Sequence, residues 1–113
     1  MPISITELGG EVVGAVLSGR LDIAGAEAID LPMNVIAGSR RSVVVDLADV
    51  EFIGSMGLRA IVMLAKTVQR RGGRVVLFAP RSEVAEVITT SGIDELVPIV
   101  YDRAAAIAAV APA

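Results

Sequence analysis

The chain has 113 residues, 54% of them hydrophobic and 20% charged, with a formal net charge of −3. One domain commonly takes about 100–200 residues, so a single domain over 1–113 is expected. Cysteine and histidine are both absent, which excludes disulfides, thiolate nucleophiles, sulfur-ligated zinc and the usual general base of hydrolase triads.

Ile3 and Ile5 alternate with Ser4 and Thr6, Gly9-Gly10 follows, and Glu11 to Ser18 carries Val12, Val13, Val16 and Leu17. This pattern predicts an N-terminal hairpin with a tight glycine turn. Asp22 is placed to cap a helix from about Ala24, with Ala28, Ile29, Leu31, Val35 and Ile36 as its buried stripe. Pro32 removes one hydrogen bond and clashes with the preceding turn at about 3 kcal/mol, so a kink or restart is expected there. Ser42 to Leu47 is a β-branched apolar run suited to a central strand. From Ser55 to Arg71, Leu58, Ile61, Val62, Ala65 and Val68 recur at helical spacing until Gly72-Gly73 ends the segment. Arg74 to Ala79 repeats the strand pattern, and Pro80, Ser82 and Glu83 open a helix carrying Val84, Val87 and Ile88 to Gly92. Leu96 to Val100, interrupted by Pro98, reads as an edge strand. Asp102 then caps an Ala-rich terminal helix.

The order β-β-α-β-α-β-α-β-α predicts an α/β fold with a mostly parallel sheet and an antiparallel N-terminal edge strand at Ile3 to Leu8. Although the mean hydropathy is +0.71, the longest stretch free of Asp, Glu, Lys and Arg is Ala104 to Ala113, short of the roughly 20 residues that span a bilayer. No membrane insertion is expected. The start shows no basic segment followed by an apolar core, so no secretory signal is expected and the chain is placed in the cytoplasm. One Lys, nine Arg and three aromatics, Phe52, Phe78 and Tyr101, give no footprint for nucleic acid.

In open α/β sheets, ligands and partners gather beyond the carboxyl ends of the strands. Two junctions there carry polar residues, Gly19 to Ile23 and Leu47 to Leu58. The second sets Ser55 at a helix start, where a serine ordinarily caps the free N–H groups of the first turn. Met56 and Met63 lie seven apart on one side of that helix with Arg59 and Lys66 nearby. They are read either as core or as a docking face shared with Asp22 and Ile23. Asp46, Asp49 and Glu51 have the spacing of a strand end and a turn, so no metal site is expected. No G-x-x-x-x-G-K-[ST] occurs, and Lys66 lies mid-helix, where it cannot serve a phosphoaccepting receiver domain.

Asp46-Leu47-x-x-Val50-x-Phe52-Ile53-Gly54-Ser55-x-Gly57-Leu58 resembles the signature of the STAS domain, the module named for sulfate transporters and anti-sigma factor antagonists. Further matches are Leu17 to Asp22, Gly72 to Leu77, and Val84 through Ser91-Gly92-Ile93. These blocks stand in the family's order from about Ile5 to Tyr101. Stand-alone chains of this size resemble bacterial anti-anti-sigma factors, which are not enzymes and need no cofactor. The resemblance implies an anti-sigma factor with serine kinase activity as the partner, phosphorylation of Ser55 as the off-switch and a phosphatase that reverses it. The partner-binding residues it suggests, with the helix face, are Asp22, Ile23, Gly54, Ser55, Met56, Arg59 and Met63. Gly54 departs from the family's usual Asp before the serine. That change lessens repulsion toward a phosphate, removes a charge that helps present the hydroxyl, and permits positive φ. The alternative the resemblance leaves open is that this chain is a soluble STAS subunit of a membrane, lipid-trafficking ABC transporter or a scaffold subunit of a stress-signalling complex.

Overall fold

The computed structural model describes residues 2–112. Its sheet has the order β1-β2-β3-β4-β5, with β1 (Ile3–Gly9) antiparallel to β2 (Val12–Leu21) and β3 (Ser42–Ile53), β4 (Arg74–Phe78) and β5 (Ile99–Val100) joined in parallel. The expected architecture, including its antiparallel edge, is the one observed. Each parallel crossover steps to the next position of the sheet, so crossovers of one hand stack their helices on one face. That face holds α1 (Ile23–Ser39), α2 (Ser55–Arg70) and α3 (Ser82–Thr90), which bury Ile29, Met33, Ile61, Leu64, Val84 and Ile88 against Val13, Val43, Val45, Val75 and Leu77. Among the described residues the other face receives only α4 (Arg103–Val110), through Ala106 and Val110 on Val12, Val44 and Val76.

Several local expectations change. β3 does not end at Leu47 but continues to Ile53, and β2 continues past Ser18 to Leu21. Register shifts near Val16/Ser18 and Gly19/Arg20 re-phase this part of the ribbon, so that Val50 and Ile53 face the core while Asp49 and Glu51 stay exposed. The charges that made the segment look like a loop lie on its solvent side.

Helix α1 runs unbroken through Pro32. The carbonyl freed by the missing N–H belongs to Ala28, which is exposed and open to water, so the helix need not break. Its buried stripe is Ala26, Ile29, Met33, Ile36 and Ala37; Ala28, Leu31 and Val35 point away from the core. On α2 the stripe is Gly57, Ile61, Leu64, Ala65 and Val68, with Leu58 partly buried against the core and Val62 half-buried. The last strand is shorter than expected because Ile93–Glu95 forms a turn of 3-10 helix, and β5 begins only after Pro98. No helix among the described residues is long and apolar enough to cross a membrane.

Candidate functional site

β2 and β3 end together, with Leu21 paired to Ile53, and each passes within one residue into a helix. The Gly54 N–H donates to the Leu21 carbonyl at 2.9 Å, tying the two exits to each other. Asp22 and Ile23 are thereby brought beside Gly54, Ser55 and Met56.

The two helix starts share a backbone plan. Asp22 precedes α1 with φ −83 and ψ −165, Gly54 precedes α2 with φ −98 and ψ −176, and glycine holds the third helical position of each, Gly25 and Gly57. A Cβ on Gly25 would collide with the Arg20 carbonyl oxygen, and one on Gly57 would stand 2.9 Å from Leu21 Cβ and Ile53 Cγ1. Both glycines therefore let a helix start press against the strand ends beneath it. Gly54 has ordinary extended backbone, so positive φ is not its purpose. A Cβ there would meet Phe52 and the Leu21 carbonyl at 3.4 Å or more, ordinary contact.

The starts differ in their caps. Asp22 Oδ1 accepts the Gly25 N–H at 2.9 Å, and its carboxylate is half-buried in that task. No side chain caps α2. Ser55 is its first helical residue and is exposed, so the ordinary capping role expected of this serine is not realised. Free N–H groups and the positive end of the helix dipole lie at an accessible hydroxyl.

Around Ser55 the surface is apolar. Ile23 is 69% exposed, Met56 45% and Met63 50%, which places both methionines outside the core. Arg59 and Lys66 are exposed along the same helix; Met63 lies about 10 Å from Met56 at 1.5 Å per residue. Two residues absent from the expected set adjoin this surface: Phe52 is 40% exposed and carries the Arg20 guanidinium 4.5 Å from its ring centroid. No local pattern marks them: the two residues come together only through the pairing of Arg20 with Phe52 across β2 and β3. Asp46 is engaged elsewhere, Oδ1 accepting the Ala48 N–H at 3.0 Å and Oδ2 lying 3.9 Å from Arg103.

The arrangement presents an exposed apolar surface with one accessible hydroxyl at its edge. Its fold and sequence have relatives. BtrV of Bordetella bronchiseptica, which bears the name of a putative anti-sigma factor antagonist, is 34% identical over 111 residues, covering 96% of this chain and 94% of that protein. An anti-sigma factor antagonist from Mycobacterium paratuberculosis has a crystal structure that matches with a TM-score of 0.84 and 27% identity, over 96% of this chain and 92% of the other. The Bacillus protein SpoIIAA, solved in phosphorylated form, shares the fold with a TM-score of 0.71 and 19% identity, over 91% of this chain and 95% of its own. The STAS domain model matches residues 9–106, and the chain belongs to the STAS domain family.

Proposed function

We propose that this chain is an anti-sigma factor antagonist that works by binding rather than catalysis. In this reading Asp22, Ile23, Gly54, Ser55, Met56, Arg59 and Met63 dock an anti-sigma factor with serine kinase activity, phosphorylation of Ser55 releases it, and a phosphatase restores the binding form. The observation that carries the reading is the exposed Ser55 at the uncapped start of α2, set in an apolar surface. BtrV and the mycobacterial antagonist support it by name and by likeness along nearly the whole chain.

The switch follows from opposing energies. A phosphoryl group adds about −1.5 to −2 charge at pH 7. At the α2 start it meets free N–H groups and the helix dipole, a stabilisation of about 0.3–1 and at most ~2 kcal/mol. Burying the same dianion under a partner without compensation costs several kcal/mol, and about 1.4 kcal/mol is tenfold in affinity. Interface desolvation therefore exceeds the gain at the helix, so the domain keeps its fold and loses its partner.

Incubation with ATP and the cognate kinase, followed by intact mass, should add one phosphate to the wild-type chain and none to Ser55→Ala. Ser55→Asp should weaken partner binding by about a hundredfold or more while its melting temperature stays within about 4 °C of wild type. Failure of every cognate kinase to modify the chain would refute the switch, and unfolding of Ser55→Asp would refute the claim that a charge there spares the fold.

A further inference from the structure

The two edges of the sheet are unlike. β5 has only two residues, a short edge. β1 has seven residues, Ile3–Gly9, without proline, lysine or arginine. Its single charge, Glu7, is held by Arg40 through two hydrogen bonds of 2.6 and 2.8 Å. The Ser18 N–H donates to the Pro2 carbonyl, and Ser4 and Thr6 continue this register opposite Val16 and Gly14. In an antiparallel ladder the alternate residues Ile3, Ile5 and Glu7 then turn their N–H and C=O groups to the open edge.

Beside that edge lies an uncovered apolar strip. Leu31 is 73% exposed, Val35 60% and Ile5 48%, and with Val13, Pro32 and Ile36 they line a groove of about 430 Å³. Leu31 and Val35 belong to one ridge of α1, Glu27-Leu31-Val35-Ser39, spaced by four. The exposed carboxylates Glu27 and Asp30 lie toward the start of this helix, and Arg40 and Arg41 follow its end.

We propose that this edge joins two copies of the chain about a two-fold axis near Ile5, with β1 antiparallel to β1 and α1 antiparallel to α1. Ile5 then faces Ile5 of the second copy and Ile3 faces its Glu7, so the outward backbone groups of each strand satisfy those of the other. A two-fold perpendicular to the sheet leaves both α1 helices on one face, where Leu31 and Val35 of each fill the groove of its neighbour. Charge selects this orientation: with Arg40 engaged by Glu7, the antiparallel pair sets the Glu27/Asp30 end of one α1 against Arg41 at the end of the other, whereas a parallel pair would set like against like. The contact is isologous and closed, so it stops at two copies. It lies apart from Ser55, and the two Ser55 ends point in opposite directions, leaving the dimer bivalent.

Sedimentation equilibrium of the full chain tests this, read against a single-chain mass of 11.7 kDa. The wild type should sediment at twice that mass, and Leu31→Lys/Val35→Lys at the single-chain mass with its melting transition retained. Val87→Lys, on exposed α3 surface, should leave the dimer intact. Amide exchange supplies the second readout: Ile3, Ile5 and Glu7 should be protected at least tenfold more in the wild-type dimer than in the double variant. A monomeric wild type overturns the proposal, as do a dimer that survives both lysines and a dimer in which these three amides exchange freely.

Discussion

The starts of α1 and α2 are neighbours with nearly the same backbone and opposite chemistry. Both leave a paired strand end in extended conformation, and both carry a glycine at the third position that lets the helix press on the strands. At α1 the Asp22 carboxylate takes the Gly25 N–H, completing the start and closing it to other anions. At α2 the equivalent place is Gly54, and the first-turn donors are left without a side-chain partner beside an exposed serine. One start is capped by the chain's own carboxylate, and the other has no side-chain cap.

Removing the shared feature should have the largest effect. Gly25→Ala drives a Cβ into the Arg20 carbonyl and Gly57→Ala one against Leu21 and Ile53. Each should destabilise by about 1–3 kcal/mol, Gly25→Ala the more because backbone yields least, measured by urea denaturation. Next, Asp22→Ala makes α1 resemble α2 and should lose about 1 kcal/mol, or about 4 °C in melting temperature. The same substitution leaves the hydroxyl of Ser55 untouched. Conversely, Gly54→Asp makes α2 resemble α1. Its Cβ fits in ordinary contact, its carboxylate should accept the Gly57 N–H as Asp22 accepts that of Gly25, and stability should rise by a few tenths of a kcal/mol. Protection of the Gly57 amide from exchange reads this directly; an unchanged amide would mean the two starts are not equivalent.

The smallest effect lies at the far end of α1. The hydrogen bond and charge of Arg40 hold the Glu7 carboxyl below its usual range. A carboxyl depressed in the folded state contributes stability above its ordinary pKa and loses it as pH falls through the lowered folded value. Wild type should therefore melt slightly above Glu7→Gln at pH 7, with the gap closing at strongly acid pH, while both helix starts stay as they are.

Legibility in the sequence followed the reach of each physical cause. Strand and helix order, the Asp22 and Asp102 caps and the glycine stops after α2 and α3 are local and could be read from a few neighbours. The continuation of β3 to Ile53 was hidden because Asp49 and Glu51 look like loop residues until register shifts in the β2–β3 pair show which side faces water. Leu31 and Val35 fit an apolar helix stripe equally well, and only the place of α1 beside the sheet's open edge shows that they lie outside the core. At the site, the position of Ser55 was readable from its helix start. Its nearness to Asp22 and Ile23 depends on the pairing of Leu21 with Ile53 and the Gly54–Leu21 bond, which join residues about thirty positions apart. The Arg20–Phe52 stack needed the same pairing.

The unpermuted strand order has a kinetic consequence. Every strand lies next to its sequence neighbours, so each pairing closes a loop no longer than one helix and its turns, and no strand waits for a distant segment to arrive. Loop-closure entropy stays modest at every step. Refolding should accordingly be fast for a parallel sheet, within milliseconds to tens of milliseconds by the dependence of rate on contact separation, and zip outward from the β2-α1-β3 unit. The outer β5 and α4 should then join last and be the first to fray.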